Sequence, residues 1–132
     1  MEIEKEVLVE IRALRDRLPQ ASGVVVAGVD GLLIAHESHG IEPDSMAAIA
    51  AAHLGLSQRL AHFVNHGELQ ETITRGQTGY VGTFAAGTEA VLMVLAGADV
   101  NVGRLHLEAR PVAARVGVLV SPVTNHRQSP LR

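Results

Sequence analysis

The chain has 132 residues, is 47% hydrophobic and carries a formal net charge of −3 at pH 7. This length fits one domain that buries a hydrophobic core of its own. The absence of cysteine excludes disulfides and thiolate zinc sites and is typical of a reducing cytoplasm. Dispersed arginines and few aromatic residues argue against a nucleic-acid interface, which needs concentrated positive charge and stacking surfaces.

The sequence gives no indication of export or of a membrane anchor. The segment Met1-Glu2-Ile3-Glu4-Lys5 lacks the basic region and apolar stretch of a signal peptide. Charged residues interrupt each long apolar run before it reaches the length of a membrane span. We therefore expect a cytoplasmic protein without direct membrane insertion.

The first predicted elements are a helix and a pair of strands. Apolar residues recur three or four positions apart from Glu2 to Leu18, which predicts an amphipathic helix that ends before Pro19. Two apolar runs, 23–29 and 32–36, flank Asp30-Gly31, a dipeptide typical of a type I′ hairpin turn with positive φ at both residues. The first run is apolar on both faces, so we expect it near the centre of a sheet.

The second predicted helix, from Pro43 to about Asn65, carries two apolar rows. The first row consists of Met46, Ile49, His53, Leu56, Leu60 and Phe63. The second consists of Ala47, Ala50, Leu54, Ser57, Ala61 and Val64. One row is enough to pack a helix on a sheet, so the other predicts contact with a partner molecule.

Three strand candidates follow, at 69–75, 78–85 and 89–96, with links short enough for an antiparallel meander. The last is apolar throughout and should be central, whereas the first is polar and should form an exposed edge. Joining the two most buried strands predicts a fold of the α/β class, α+β type. Its five-stranded, mainly antiparallel sheet has the order 2-1-5-4-3 and is flanked by three helices.

The third helix is predicted from about Asn101 to Val120. Pro111 lies inside it, where proline removes a backbone hydrogen bond, so we expect a kink or two shorter helices. Residues 1–120 are thus predicted to form one domain. Residues 121–132 contain two Ser-Pro steps and no periodicity, and we expect them to form a disordered tail.

Catalytic and metal-binding patterns are weak in this sequence. There is no nucleophile elbow and no phosphate-binding loop, and His62 and His66 make at most half of a metal site. His53 has two interpretations, a partly buried histidine bonded to a neighbour or a pH-sensitive group in an interface. Arg59 and Arg75 are more simply solvated charges than groups acting on a partner's phosphate. We expect a protein that is not an enzyme and uses no cofactor or metal.

Several short motifs resemble those of roadblock/dynein light chain domains. The segment Val91-Leu92-Met93-Val94-Leu95-Ala96, followed by Asn101-Val102-Gly103-Arg104-Leu105 and Glu108-Ala109-Arg110, resembles the last strand and helix of that family. The segment Val29-Asp30-Gly31-Leu32-Leu33-Ile34-Ala35 resembles its Asp-Gly-Leu hairpin. The order of elements is similar from Glu2 to Val120, and Pro111 departs from the family pattern.

The resemblance implies a homodimer in which the third strands pair and the second helices lie together on one face. Its bacterial MglB-like members imply binding of a small Ras-like GTPase through helix two, with modulation of GTP hydrolysis or of localisation. Relatives of the actinobacterial type imply an associated sensor kinase. A small-ligand sensor or general scaffold domain of profilin-like architecture is the alternative function, by analogy of fold.

Two candidate surfaces follow from these expectations. The dimer interface is predicted on the edge strand at Leu69, Glu71, Thr72, Ile73 and Arg75. A surface on helix two, for the dimer or for GTPase docking, is predicted at Met46, Ile49, His53, Leu56, Gln58, Arg59, Leu60 and Phe63.

Overall fold

The computed structural model describes residues 2–121 as three helices and five strands. The elements are α1 (Glu2–Arg17), β1 (Ala21–Gly28), β2 (Leu33–Ser38), α2 (Pro43–Phe63), β3 (Glu71–Arg75), β4 (Gly79–Ala86), β5 (Ala90–Gly97) and α3 (Val102–Val120). All strands pair antiparallel in one sheet of order β2-β1-β5-β4-β3, which confirms the predicted fold. The strands β2 and β3 form its two edges.

The helices cover the two faces of the sheet unequally. Val24 and Val26 of β1 point to one face, where α1 and α3 pack over the larger core. Val25 and Ala27, with the alternate side-chain direction, point to the other face, which α2 covers alone. A helix is about 10 Å wide, whereas five strands span about 20 Å. Part of the second face is therefore left open.

The β1–β2 connection differs from the predicted type I′ turn. The Gly31 N–H donates to the Gly28 carbonyl at 2.9 Å, which places Val29 and Asp30 at the centre of the turn. Gly31 has a φ of 90°, but Asp30 is not among the residues with positive φ. Instead, Asp30 Oδ1 accepts the Leu32 N–H at 3.1 Å. This bond stabilises a turn in which Asp30 does not adopt a positive φ. The prediction of positive φ at both residues is wrong.

Helix α3 runs without interruption from Val102 to Val120, so the prediction of two shorter helices is wrong. Its start is capped by Asn101, whose Oδ1 accepts the Arg104 N–H at 3.0 Å. Pro111 and Leu107 are both exposed, so water can bind the carbonyl that the missing proline N–H leaves free. A kink at Pro111 stays a prediction.

Within residues 2–121, no helix combines the length and the apolar character that crossing a membrane requires. The predicted disordered tail, beyond Ser121, lies outside the described residues.

Candidate protein-interaction site

Helix α2 begins at a side-chain cap that fixes how the helix enters the fold. Glu42 Oε1 accepts the Ser45 N–H at 2.8 Å, and the hydrogen bonding of this carboxylate with Ser45 lowers the pKa of Glu42. Pro43 occupies the first turn, as predicted, where its missing N–H has no helical partner to lose.

The structure shows which side of α2 faces the sheet. Ala47 and Ala50, from the second predicted row, are fully buried against β1 and β5. From the first row, Met46 packs partly against the same cluster. His53 is half-buried, and its Nδ1 shares a 3.2 Å hydrogen bond with the hydroxyl of the buried Thr83 on β4. This bond agrees with the first interpretation of His53, a partly buried histidine bonded to a neighbour, and a pH-sensitive role in an interface stays a prediction.

The remaining members of the first row form an exposed apolar surface, which we call the α2 ridge. It consists of Ile49, Leu56, Leu60 and Phe63, which are 55%, 68%, 64% and 88% exposed. A single exposed apolar side chain is ordinary, but four on one helix face are typical of an interaction surface.

Beside the α2 ridge lies the open part of the sheet, which we call the open strip. Val81 and Leu95 are directly paired across β4 and β5, point to this face and are half-buried. Thr72 and Thr74 of β3 share the same face, because they pair with Thr83 and Val81. The ridge borders this strip, since His53 in the same helical row bonds to Thr83 on β4.

Strand β3 presents backbone groups that can pair with another strand. The Ala85 N–H donates to the Gln70 carbonyl at 3.0 Å, and the Gly76 N–H donates to the Gly79 carbonyl at 2.8 Å. Because bonded pairs alternate along an antiparallel ladder, the N–H and C=O groups of Glu71, Ile73 and Arg75 point away from β4. These three residues of the predicted dimer strand therefore offer their backbones at the edge.

The side chains of β3 are used differently from their backbones. Ile73 is half-buried against the core under α1 and α3. Glu71 accepts hydrogen bonds from the guanidinium of Arg110 on α3, one from Nε at 2.9 Å. His106 Nδ1 lies 2.8 Å from Glu71 Oε2, so the two side chains form an ion pair when the ring is protonated.

This contact makes Glu71 an anchor for the edge strand. The hydrogen bonds from Arg110 are the main cause that lowers the pKa of Glu71, opposed by partial burial and assisted by the charge of His106. The sequence reasoning missed Arg110 and His106, because Arg110 lies 39 residues after Glu71 and no local pattern connects them.

Gln58 joins α2 to the segment that leads into β3. Its Oε1 accepts the Leu69 N–H at 2.6 Å, and its Nε2 donates to Glu68 Oε1 at 2.8 Å. Gln58 is half-buried beside the α2 ridge. Leu69 was predicted to belong to the edge strand, but β3 begins only at Glu71.

His62 lies 3.3 Å from Glu68 Oε2. Across residues 2–121, no three metal-binding side chains come together.

Two depressions flank the helix. One, of about 540 Å³, lies on the ridge side and is lined by His53, Leu56, Ser57, Arg59, Leu60 and Phe63. The other, of about 550 Å³, lies between α2 and the turns at one end of the sheet, with Val29, Leu54 and Ala85 among its apolar lining.

The chain thus has a fold of the α+β class, with one exposed apolar helix face, an exposed edge strand and a partly open sheet. Residues 8–96 match the Roadblock/LC7 domain, and the chain belongs to that family. An uncharacterised protein of Methanocaldococcus jannaschii is 33% identical to it over 95 residues, 71% of this chain and 82% of the relative.

Two solved structures have a similar fold. Myxococcus xanthus MglB aligns with a TM-score of 0.83 at 17% identity, covering 92% of both chains. A structure described as MglB with tetrameric arrangement aligns with a TM-score of 0.81 at 17% identity, covering 90% of both chains. At these identities the likeness shows the roadblock fold and nothing finer.

Proposed function

We propose that this protein is a homodimeric adaptor that binds a small Ras-like GTPase and acts by binding rather than by catalysis. Family membership and the MglB-like fold support a GTPase-regulator-like adaptor role at the level of the family. The observation that carries the proposal for this chain is the α2 ridge, exposed beside an open strip and an unpaired strand edge.

The proposed dimer forms by antiparallel pairing of β3 with β3 of a second copy. The outward backbone groups of Glu71, Ile73 and Arg75 are suited to this pairing, and twofold symmetry places the same groups on both sides. The two sheets then become one of ten strands. The two open strips join into a single surface, with the threonines of β3 at its middle and an α2 ridge on each side. This surface is the proposed docking face for the GTPase.

Paired proline substitutions test the dimer. Thr74 and Arg75 both have exposed side chains, but only the Thr74 N–H points toward β4. We expect Arg75→Pro to keep the fold and weaken the dimer, because it removes an outward donor. Thr74→Pro should instead destabilise the monomer by breaking the β3–β4 ladder. Sedimentation equilibrium that shows an undiminished dimer for Arg75→Pro would place the interface elsewhere.

A pull-down with matched arginine substitutions tests GTPase binding. Leu56 on the ridge is 68% exposed and Val9 on α1 is 66% exposed, so neither Leu56→Arg nor Val9→Arg should unfold the chain. With GDP and a non-hydrolysable GTP analogue in separate lanes, wild type and Val9→Arg should capture a small GTPase and Leu56→Arg should not. Capture by none of the three refutes GTPase binding, and capture by all three removes the ridge as the docking face.

The same pull-down extends to the other partners that the family resemblance suggests. A sensor kinase recovered together with the GTPase would support a signalling assembly in the cytoplasm, which we include in the proposal. Comparison of GTP turnover with and without the adaptor would separate modulation of hydrolysis from recruitment alone.

A small-ligand sensor is the second candidate, and the depression of about 550 Å³ favours it. Ligand sites commonly have volumes of about 300–1,000 Å³ and mix apolar walls with a few polar groups. Here Gln58, Glu68 and Thr88 accompany the apolar lining. Native mass spectrometry of protein purified from its own cells would show a retained small molecule, and a mass equal to that of the bare chain would count against this candidate.

A further inference from the structure

The outermost residues of α2 include a cation in apolar surroundings. At about 100° per residue, Ala52, Arg59 and Phe63 lie opposite the sheet-facing row that contains Ala47 and Leu54. Arg59 is exposed and lines the ridge-side depression together with Leu56, Leu60 and Phe63. Arg59 therefore lies on the outer side of α2, next to the α2 ridge that flanks the proposed docking face.

Arg59 has no carboxylate partner among residues 2–121. Most other arginines there contact an acid, namely Arg12, Arg17, Arg104, Arg110 and Arg115. On the helix, the positions three and four residues from Arg59 are Gly55, Leu56, His62 and Phe63, none of them acidic. Nearby Glu68 is already engaged by Gln58 and His62.

An unpaired guanidinium limits what can cover this face. A partner that buried Arg59 against apolar atoms alone would lose its hydration without compensation. A partner that brings a carboxylate gains a charge-assisted hydrogen bond in a partly dry surface. A second copy is a poor source of this carboxylate, because neither the α2 ridge nor the open strip, which would line the proposed docking face in both copies, contains an acidic residue.

We propose that Arg59 selects the partner, by pairing with an acidic side chain that the GTPase presents within an apolar contact surface. This inference rests on the proposed function and adds that the GTPase must present an acidic group opposite Arg59. In the dimer, twofold symmetry gives two such arginines, one on each ridge. Because the GTPase, and not the second copy of this chain, provides the acidic group that pairs with each arginine, the proposed dimer does not depend on Arg59.

The test measures GTPase affinity and self-association on the same proteins. The GTPase recovered by wild type is purified and titrated by fluorescence anisotropy against wild type, Arg59→Glu, Arg59→Lys and Arg15→Glu. Arg15 on α1 is the control, since it lies on the opposite side of the sheet. We expect binding to weaken at least about tenfold in Arg59→Glu, to stay within about threefold in Arg59→Lys, and to be unchanged in Arg15→Glu.

Ionic strength and oligomeric state complete the test. Raising the salt concentration from about 50 to 300 mM should weaken GTPase binding more for wild type than for Arg59→Gln, because the variant lacks the salt-sensitive ion pair. Sedimentation equilibrium should give the same dimer constant for Arg59→Glu and wild type. Equal GTPase affinity for wild type and Arg59→Glu, or a changed dimer constant, overturns the role of Arg59 while leaving the adaptor function standing. Failure of wild type to recover any GTPase refutes the adaptor function and the inference together.

Discussion

Replacing Gly117 by alanine measures how closely α3 approaches the β4–β5 turn. A Cβ at this position would lie 2.6 Å from the nitrogen of Gly87, 2.8 Å from the carbonyl carbon of Ala86 and 3.0 Å from the Cα of Gly87. All three are backbone atoms, so no side chain can rotate away. Gly87 has a φ of 67°, a conformation that glycine adopts more readily than other residues, so the turn resists a change of shape.

The expected magnitude follows from two opposing effects. Alanine stabilises a helix interior by at most about 1 kcal/mol over glycine. Overpacking against atoms that cannot rotate away costs about 1–3 kcal/mol. We expect a net loss of about 1–2 kcal/mol in the free energy of unfolding. With an unfolding entropy of about 2.1 cal/mol/K for each folded residue, 1 kcal/mol lowers the Tm of a chain of this size by about 4 °C.

Gly55→Ala is the matched control, because it makes the same substitution in a helix where a new Cβ meets nothing within 4 Å. It should raise stability by up to about 1 kcal/mol. Urea unfolding followed by circular dichroism, at one protein concentration, compares the two variants with wild type. If Gly117→Ala is stabilised as much as Gly55→Ala, the helix and the turn do not approach as closely as described.

Two further substitutions probe the anchors beside the candidate surfaces. Glu71→Gln should cost about 1.5–3 kcal/mol at neutral pH, because it removes the charged acceptor of Arg110. Folding lowers the pKa of Glu71 from its usual 4.5, so this stabilisation should be complete above pH 4.5 and should decline as the pH falls further. Urea unfolding of wild type and Glu71→Gln at several pH values tests this. A stability difference between the two proteins that stays constant with pH would contradict the reasoning. Thr83→Val should cost about 1–2 kcal/mol by leaving His53 without its hydroxyl partner. The exposed Thr74→Val should change stability by less than about 0.5 kcal/mol, and equal effects of the two valines in thermal unfolding would contradict this view of His53.

The periodicity of apolar residues was enough to predict the elements and the order of the sheet. The strands β1 and β5 are apolar on both faces, and that property placed them side by side at its centre. The dipeptide Asp30-Gly31 correctly indicated a hairpin but not its turn type. That type depends on a bond from the Leu32 N–H to Asp30 and on a register shift opposite Val26 and Ala27, neither of which the dipeptide encodes.

The candidate site was predictable in outline and not in orientation. Two apolar rows on α2 indicated two contacts, but they did not show which row faces the sheet. Ala47 and Ala50 decide this in the structure, because their small side chains let the helix approach β1 and β5 closely. Glu71 was predicted as an edge residue from its polarity, yet its side chain turns inward to Arg110, a contact between distant segments that no local pattern contains.

The second edge of the sheet determines where assembly would stop. Strand β2 carries one extra residue at Ile34, because Val26 pairs with Ala35 and Ala27 pairs with Leu33. Near its end, Glu37 is held by Arg12 of α1 at 3.2 Å. A bulge and a fixed charge are features that discourage the addition of strands to an edge. A dimer joined through β3 would expose only β2 edges at its two ends, so such a sheet closes at two copies instead of growing into a fibre.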